Sequence, residues 1–253
     1  MSKFVDKLQR LSKSSSTPIG FHPSAPQSKS PRLLLIAGLS GTQVKEARMV
    51  VSVDAGLILN DGPSAKIVRQ MVEAVGDVPL GVCVTGMSEQ ETSQLADLGC
   101  DFVVFGIKAA AAALHKEEVG KILMIEPSLD LGFVRAINSL GVDGVFVNLR
   151  GGGSFVAVEH LLVCRRLVDL LEKPVMIALP SLVTKAELTS IWQAGVDGVV
   201  VPPSQSTKAM TELKEMIGDL PRGARGRRAK VDVILPRYGE GVAGEDDEET
   251  EEI

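Results

Sequence analysis

Aromatic residues are scarce in this chain of 253 residues: they fill 4% of positions, with one Trp and one Tyr. A core of useful size must then be built from Val, Ile, Leu and Ala, which suits parallel strands buried on both faces. Cysteine is also sparse. Cys83, Cys100 and Cys164 are far apart, odd in number and never in a CxxC, so they form no disulfide frame or zinc site and read as reduced core residues in a reducing compartment. An excess of positive charge is missing too. The net charge of −5 leaves no basic footprint and excludes nucleic acid as the expected partner. The chain lacks an apolar signal core and any run of about 18 apolar residues, so no integral membrane segment and a cytoplasmic location are expected. What is present is an ordinary globular balance, 45% hydrophobic and 23% charged, at a length that fits one large domain.

Residues 1–31 read as an N-terminal extension. Phe4, Leu8 and Leu11 recur at helical spacing among Lys3, Lys7, Arg10 and Lys13, and a Ser/Pro/Lys linker follows from Ser14 to Pro31. Such a helix either closes the base of a domain or packs on a protein partner; three apolar anchors make a weak membrane-surface binder, the competing reading. Residues 221–253 read as a charged tail expected to be disordered, with a basic cluster (Arg222, Arg225, Arg227, Arg228, Lys230) and an acidic run from Glu245 to Glu252. The alternatives for this tail are a partner-binding role, or an acidic run folded back on the basic cluster. A homo-oligomer or protein partner would use this helix or this tail.

Between them, residues 32–220 alternate short apolar runs with helical segments. The expected strands are Leu33–Ala37, Met49–Val53, Leu80–Val84, Phe102–Phe105, Ile122–Ile125, Val145–Val147, Val175–Ala178 and Val199–Val201. Helical periodicity is clearest over Ser64–Val75, Glu89–Leu98, Leu129–Leu140, Phe155–Leu171 and Lys185–Ala194. An internal repeat binds the pattern together. Leu98-Gly99-Cys100-Asp101-Phe102-Val103 returns as Leu140-Gly141-Val142-Asp143-Gly144-Val145 and as Ala194-Gly195-Val196-Asp197-Gly198-Val199. Each Gly suits the left-handed end of a helix, and each Asp starts a turn into a buried strand. Three tandem βαβ modules, with a fourth at Leu33–Val53, give eight parallel strands. The expected fold is therefore α/β: a single (β/α)8 (TIM-type) barrel, preferred to an open doubly wound sheet because no edge strand is polar.

In such a barrel the chemistry sits on the loops after the strands. Asp54, Lys108 and Glu126 are the candidate groups for proton transfer. Histidine contributes nothing there, because His22 lies in the linker and His115 and His160 fall on helices; a His-based metal site is not expected. The most informative segment is Asn148-Leu149-Arg150-Gly151-Gly152-Gly153-Ser154. Three glycines let backbone amides converge, Ser154 could cap the following helix, and Arg150 could clamp an anion. The competing reading is a plain flexible turn.

Val147-Asn148 followed by Gly151-Gly152-Gly153-Ser154-Phe155 resembles the phosphate loop of the ribulose-phosphate 3-epimerases. Val53-Asp54 with Asn60 and Gly62-Pro63 is similar to that family's second-strand loop. Val78-Pro79-Leu80-Gly81-Val82-Cys83 through Asp101-Phe102 is similar to its third and fourth strands. The likeness spans roughly residues 50–204 and implies an aldolase-type barrel of the ribulose-phosphate-binding kind with phosphate held at the Gly-rich turn. It does not carry epimerase chemistry. Cys83 stands in place of a metal-binding His, and Val51-Ser52 offers none on the second strand. Ala178-Leu179-Pro180-Ser181 replaces the seventh-strand Asp-Gly-Gly, and Pro202-Pro203-Ser204 replaces a Gly-Ser phosphate grip, removing the N–H donors it needs. Nothing points to a cofactor or metal. Two functions stay open: a lyase- or isomerase-type enzyme on a small phosphorylated or carboxylated metabolite, and a non-catalytic barrel serving as a binding or assembly module.

Overall fold

The computed structural model describes residues 2–13, 32–60, 62–86, 88–115, 118–149, 155–203 and 205–221. Eight strands pair in parallel and in chain order: β1 (Leu34–Leu39), β2 (Ala55–Ile58), β3 (Leu80–Val84), β4 (Phe102–Gly106), β5 (Gly120–Ile125), β6 (Gly144–Asn148), β7 (Val175–Ala178) and β8 (Gly198–Val201). β8 pairs back onto β1, with Val199 opposite Leu35, and the barrel closes. Closure removes every sheet edge. The helices are α1 (Lys3–Lys13), α2 (Ala65–Val75), α3 (Glu89–Asp97), α4 (Leu131–Ala136), α5 (Val158–Leu170), α6 (Lys185–Gln193) and α7 (Thr207–Gly218). The expected charged tail lies, beyond Pro221, outside the described residues.

The expected strand Met49–Val53 is not a strand. Val44–Ser52 forms a 3-10 helix, and β2 begins only at Ala55. The apolar run misled because its side chains divide between core and solvent as on a helix: Val50 is buried and Val51 is 75% exposed. The true strand contains a glycine, which lowers strand propensity. That glycine suits the packing, since a Cβ at Gly56 would stand 2.9 Å from Leu80 Cδ1 and 3.1 Å from Val50 Cγ2 and would push the Leu80 side chain aside. One helix is also much shorter than expected. The Leu129–Leu140 segment gives α4 and then a 3-10 turn over Ile137–Ser139. Gly99 and Gly195 take positive φ of 88° and 94° as the repeat implies; Gly141, after that 3-10 turn, is not among the positive-φ glycines.

The repeated Asp holds the base of the barrel. Asp143 accepts from the Lys121 amide at 2.8 Å and Asp197 from the Val175 amide at 2.9 Å, each reaching the foot of the preceding strand. Asp54 does the same for the Leu35 amide at 2.9 Å. The fourth member, Asp101, is turned to another use. Its carboxylate accepts from the amides of Lys3 and Phe4 at 2.8 and 2.9 Å and from the Ser2 hydroxyl at 2.7 Å. The Ser2 hydroxyl in turn accepts from the Val5 amide. The free amides at the start of α1 are thus satisfied, by an anion placed where the helix dipole favours one.

So capped, α1 plugs the barrel. Phe4, Leu8 and Leu11 are buried among Leu34, Ile36, Phe102, Ile122, Phe146 and Met176, and the Phe4 ring stacks on Phe102 at 4.2 Å. Glycines at the strand feet leave the room: a Cβ at Gly120 would meet Val5 at 2.5 Å, and one at Gly144 would meet Leu8 at 3.1 Å. Of the readings open for this helix, the structure selects closure of the barrel base. Among the described residues no helix is long and apolar enough to cross a membrane.

Candidate active site

With the base filled by α1, the opposite end, where the strands finish, is the end at which barrels of this fold carry their sites. The inward-facing residues beneath it are apolar: Cys83, Val104, Ala178 and Val200, with Leu59 and Met124 partly buried on top. Among the described residues the buried polar side chains are Ser2, Thr92 and Asp197, and none of these lies at the mouth.

Three of the expected site residues follow neighbouring strands on one side of this mouth. Gly106 of β4 is in register with Met124 of β5, and Met124 with Phe146 of β6. Lys108, Glu126 and Asn148 each stand two residues beyond a member of that row, so they leave three successive strands at one level. All three are exposed. Asn148, the last residue of β6, shares the inward parity of Phe146, because side chains alternate along a strand. A cation, a carboxylate and an amide thus follow one another along an arc above an apolar floor.

Asp54 does not belong to this arc. It precedes β2, at the barrel base, where its carboxylate holds the Leu35 amide and lies 2.5 Å from Lys214 of α7. The misplaced second strand had put it at the wrong end. A signal was present in the sequence: Val53-Asp54 repeats Val142-Asp143 and Val196-Asp197, the members that build the base. Of the residues that carry the second-strand part of the epimerase likeness, Val53-Asp54 therefore precedes β2, whereas Asn60 and Gly62-Pro63 follow it.

Arg150, Gly151, Gly152, Gly153 and Ser154 lie outside the described residues, but both flanks of this segment are fixed. Leu149 is buried. On the far side the Val156 amide donates to Glu187 at 2.9 Å. Glu187 also accepts from the Thr184 amide and hydroxyl at the start of α6, completing a capping box. These hydrogen bonds, first that from the Thr184 amide, hold the Glu187 carboxyl below its ordinary range. Glu187 was legible only as a helix residue, although Thr184-x-x-Glu187 has capping-box spacing. One expectation needs correction: α5 starts at Val158 with Ala157 at the cap position. Ser154 is therefore not its N-cap, and the glycine run precedes the helix start by several residues.

The three cysteines are free and buried. Burial pushes the Cys100 and Cys164 thiols up to about 12, so they are inert core residues rather than nucleophiles. Among the described residues no group of His, Cys, Asp and Glu is arranged to hold a metal.

No family model matches the chain, and no curated protein is detectably similar to it in sequence. Solved structures are similar in fold. A mutant tryptophan synthase alpha-subunit from Pyrococcus furiosus superposes with a TM-score of 0.57 at 12% identity, over 74% of this chain and 97% of that one. N-(5'-phosphoribosyl)anthranilate isomerase from the same organism gives 0.56 at 13%, over 74% and 100%. A native KDPGal structure gives 0.55 at 17%, over 79% and 95%. The fold is that of the aldolase-type (β/α)8 barrels. At these identities the likeness extends to the fold alone.

Proposed function

We propose that the protein binds a small phosphorylated or carboxylated metabolite at the barrel mouth and acts on it as a lyase- or isomerase-type enzyme. The observation that carries this reading is the succession of Lys108, Glu126 and Asn148 at the ends of three neighbouring strands. Glu126 is the group to move a proton, and Lys108 balances the charge that develops. Asn148 orients a ligand oxygen by donating through its amide. The anion is held by Arg150 and the backbone amides of Gly151, Gly152 and Gly153, with Ser154 adding a hydroxyl. A glycine run suits this use because amides without side chains can approach an anion closely. The fixed flanks, Leu149 and Val156, support the loop as a site.

One observation favours the second reading, a non-catalytic binding barrel. The floor of the mouth is apolar, and Asp54, the carboxylate expected to partner Glu126, serves the base instead. The two readings separate in one experiment. Sugar phosphates and inorganic phosphate are titrated calorimetrically into the wild-type chain and Arg150→Ala, and the bound sugar phosphate is followed by NMR in heavy water. Anion binding that weakens roughly tenfold or more in Arg150→Ala, by the ~1.5–3 kcal/mol of a charge-assisted hydrogen bond, supports the site. Deuterium entering a carbon of the ligand, and ceasing to enter in Glu126→Gln, supports the enzyme. Binding without exchange supports the module, and no binding sinks both.

A further inference from the structure

Three helices of the barrel wall open with the same hydrogen bond, in which the third helical residue reaches back to the amide of the cap residue. Glu91 of α3 accepts from the Ser88 amide and Glu187 of α6 from the Thr184 amide, each at 2.8 Å. On α5 a histidine holds that position, and Nδ1 of His160 accepts from the Ala157 amide at 3.1 Å. In α3 and α6 the cap hydroxyl returns the bond, Ser88 accepting from the Glu91 amide and Thr184 from the Glu187 amide. Ala157 has no side-chain oxygen with which to do so, and the start of α5 is capped through the imidazole.

The exchange of carboxylate for imidazole changes the chemistry of the position. Nδ1 can accept only while it carries no proton, so the ring is neutral here with its hydrogen on Nε2. Histidine is the side chain whose charge changes between about pH 5 and 8. Once Nδ1 is protonated, two N–H donors face each other and the bond to Ala157 is lost. The helix dipole also opposes a cation in the first turn. At this end the neighbouring helices carry Lys185 and Glu187 on α6 and Asp130 at the start of α4, and Glu159 lies beside His160 on α5 itself. Lys185 is engaged by Asp219, Asp130 by the Gly132 amide, and Glu187 by the Thr184 and Val156 amides. The strand behind, β7, carries apolar side chains. Histidine is the one residue type in this set that titrates near neutral pH.

We propose that His160 is a pH-sensitive latch on the start of α5, holding the Ala157 amide when neutral and releasing it when protonated. The Val156–Glu187 bond is left to hold the chain where it enters the helix. Glu187, kept below the ordinary carboxylate range by its own hydrogen bonds, stays charged through this interval. The latch is independent of whether the preceding glycine run holds an anion.

NMR on the full-length chain tests this. Imidazole signals give the midpoint at which His160 titrates, and His160→Gln identifies its signal against those of His22 and His115. Hydrogen exchange gives the protection of the Ala157 amide relative to its intrinsic rate at each pH. Wild-type protection should fall about three- to tenfold, the range of one neutral hydrogen bond, with the same midpoint as His160. His160→Gln keeps an acceptor at every pH and suits a capping box, so its Ala157 protection should stay level down to about pH 5. The Val145 amide in β6 should show no such fall in either chain. Ala157 protection that stays level while His160 titrates, or that falls equally in His160→Gln or at Val145, would overturn the proposal. So would a His160 that remains neutral until the chain unfolds.

Discussion

The Asp54 carboxylate lies 2.5 Å from the Lys214 ammonium across 160 residues of sequence, linking the foot of β2 to the last described helix. The pair is partly buried, with side-chain exposures of 14% for Asp54 and 34% for Lys214. Asp54 also holds the Leu35 amide, so its loss should cost more than its partner's. We expect Asp54→Asn to destabilise by about 1–3 kcal/mol and Lys214→Met by about 1 kcal/mol or less. A double-mutant cycle by urea unfolding should give a favourable coupling. Additive effects would mean that the contact carries no energy.

The plug makes a second prediction. Phe4→Ala should cost about 3–5 kcal/mol, since a fully buried ring is deleted from a packed interior. Asp101→Ala leaves the α1 amides without acceptors and should destabilise by about 1–3 kcal/mol. Hydrogen exchange over Lys3–Lys13 should then quicken more than exchange in the strands. Equal quickening everywhere would show that α1 and the barrel open only together.

Thiol chemistry gives the third. With their pKa raised from 9.0 to about 12 by burial, Cys100 and Cys164 should resist thiol reagents at pH 8 until the protein unfolds. The sign follows from the neutral thiol being the form that the folded state favours. Their contribution is complete below about pH 9 and is lost as pH rises through about 12. A native chain whose Cys100 or Cys164 reacts at the rate of a free thiol would contradict this burial.

Glu187 behaves in the opposite sense. Its carboxyl is held low by hydrogen bonds to the charged form, so its contribution is present above the ordinary carboxylate value of 4.5 and fades as pH falls through the lowered folded value. Glu187→Ala should cost roughly 0.5–2 kcal/mol, the range of a lost cap, and the cost should shrink in acid. A cost that does not change with pH would separate the cap from the carboxylate's charge.

Most of the fold was legible because the repeat is written in residues whose work is local. Leu80–Val84 and Val175–Ala178 match β3 and β7 to the residue, as continuous aliphatic runs bounded by Pro and polar turns should. The second strand was hidden for a packing reason: Gly56 lies close against Val50 and Leu80, and no propensity reveals a tertiary contact. That one error reversed the place of Asp54. The placement of Lys108, Glu126 and Asn148 at the ends of β4, β5 and β6 was legible because those strands were. The register that levels them was not, because it is set by barrel stagger rather than by the composition of any strand. The start of α5 was misread because Ser154 offers a cap in sequence while Glu187, over thirty residues on, ties down the Val156 amide.

The repeated Asp belongs to the base, and we propose that chemistry belongs to the mouth. The most direct measurement is the dissociation constant of inorganic phosphate, at low salt, for the wild type and three variants. Glu126→Gln removes a like charge at the mouth and should tighten binding, and Lys108→Met removes an opposite charge and should weaken it. Each change should be about 1.5- to 5-fold, the range of exposed charges. Asp54→Asn, at the far end of the barrel and beyond the ~10 Å reach of screened charges, should lower the melting temperature and leave the constant unchanged. A phosphate affinity that follows Asp54 and ignores Lys108 and Glu126 would contradict the account.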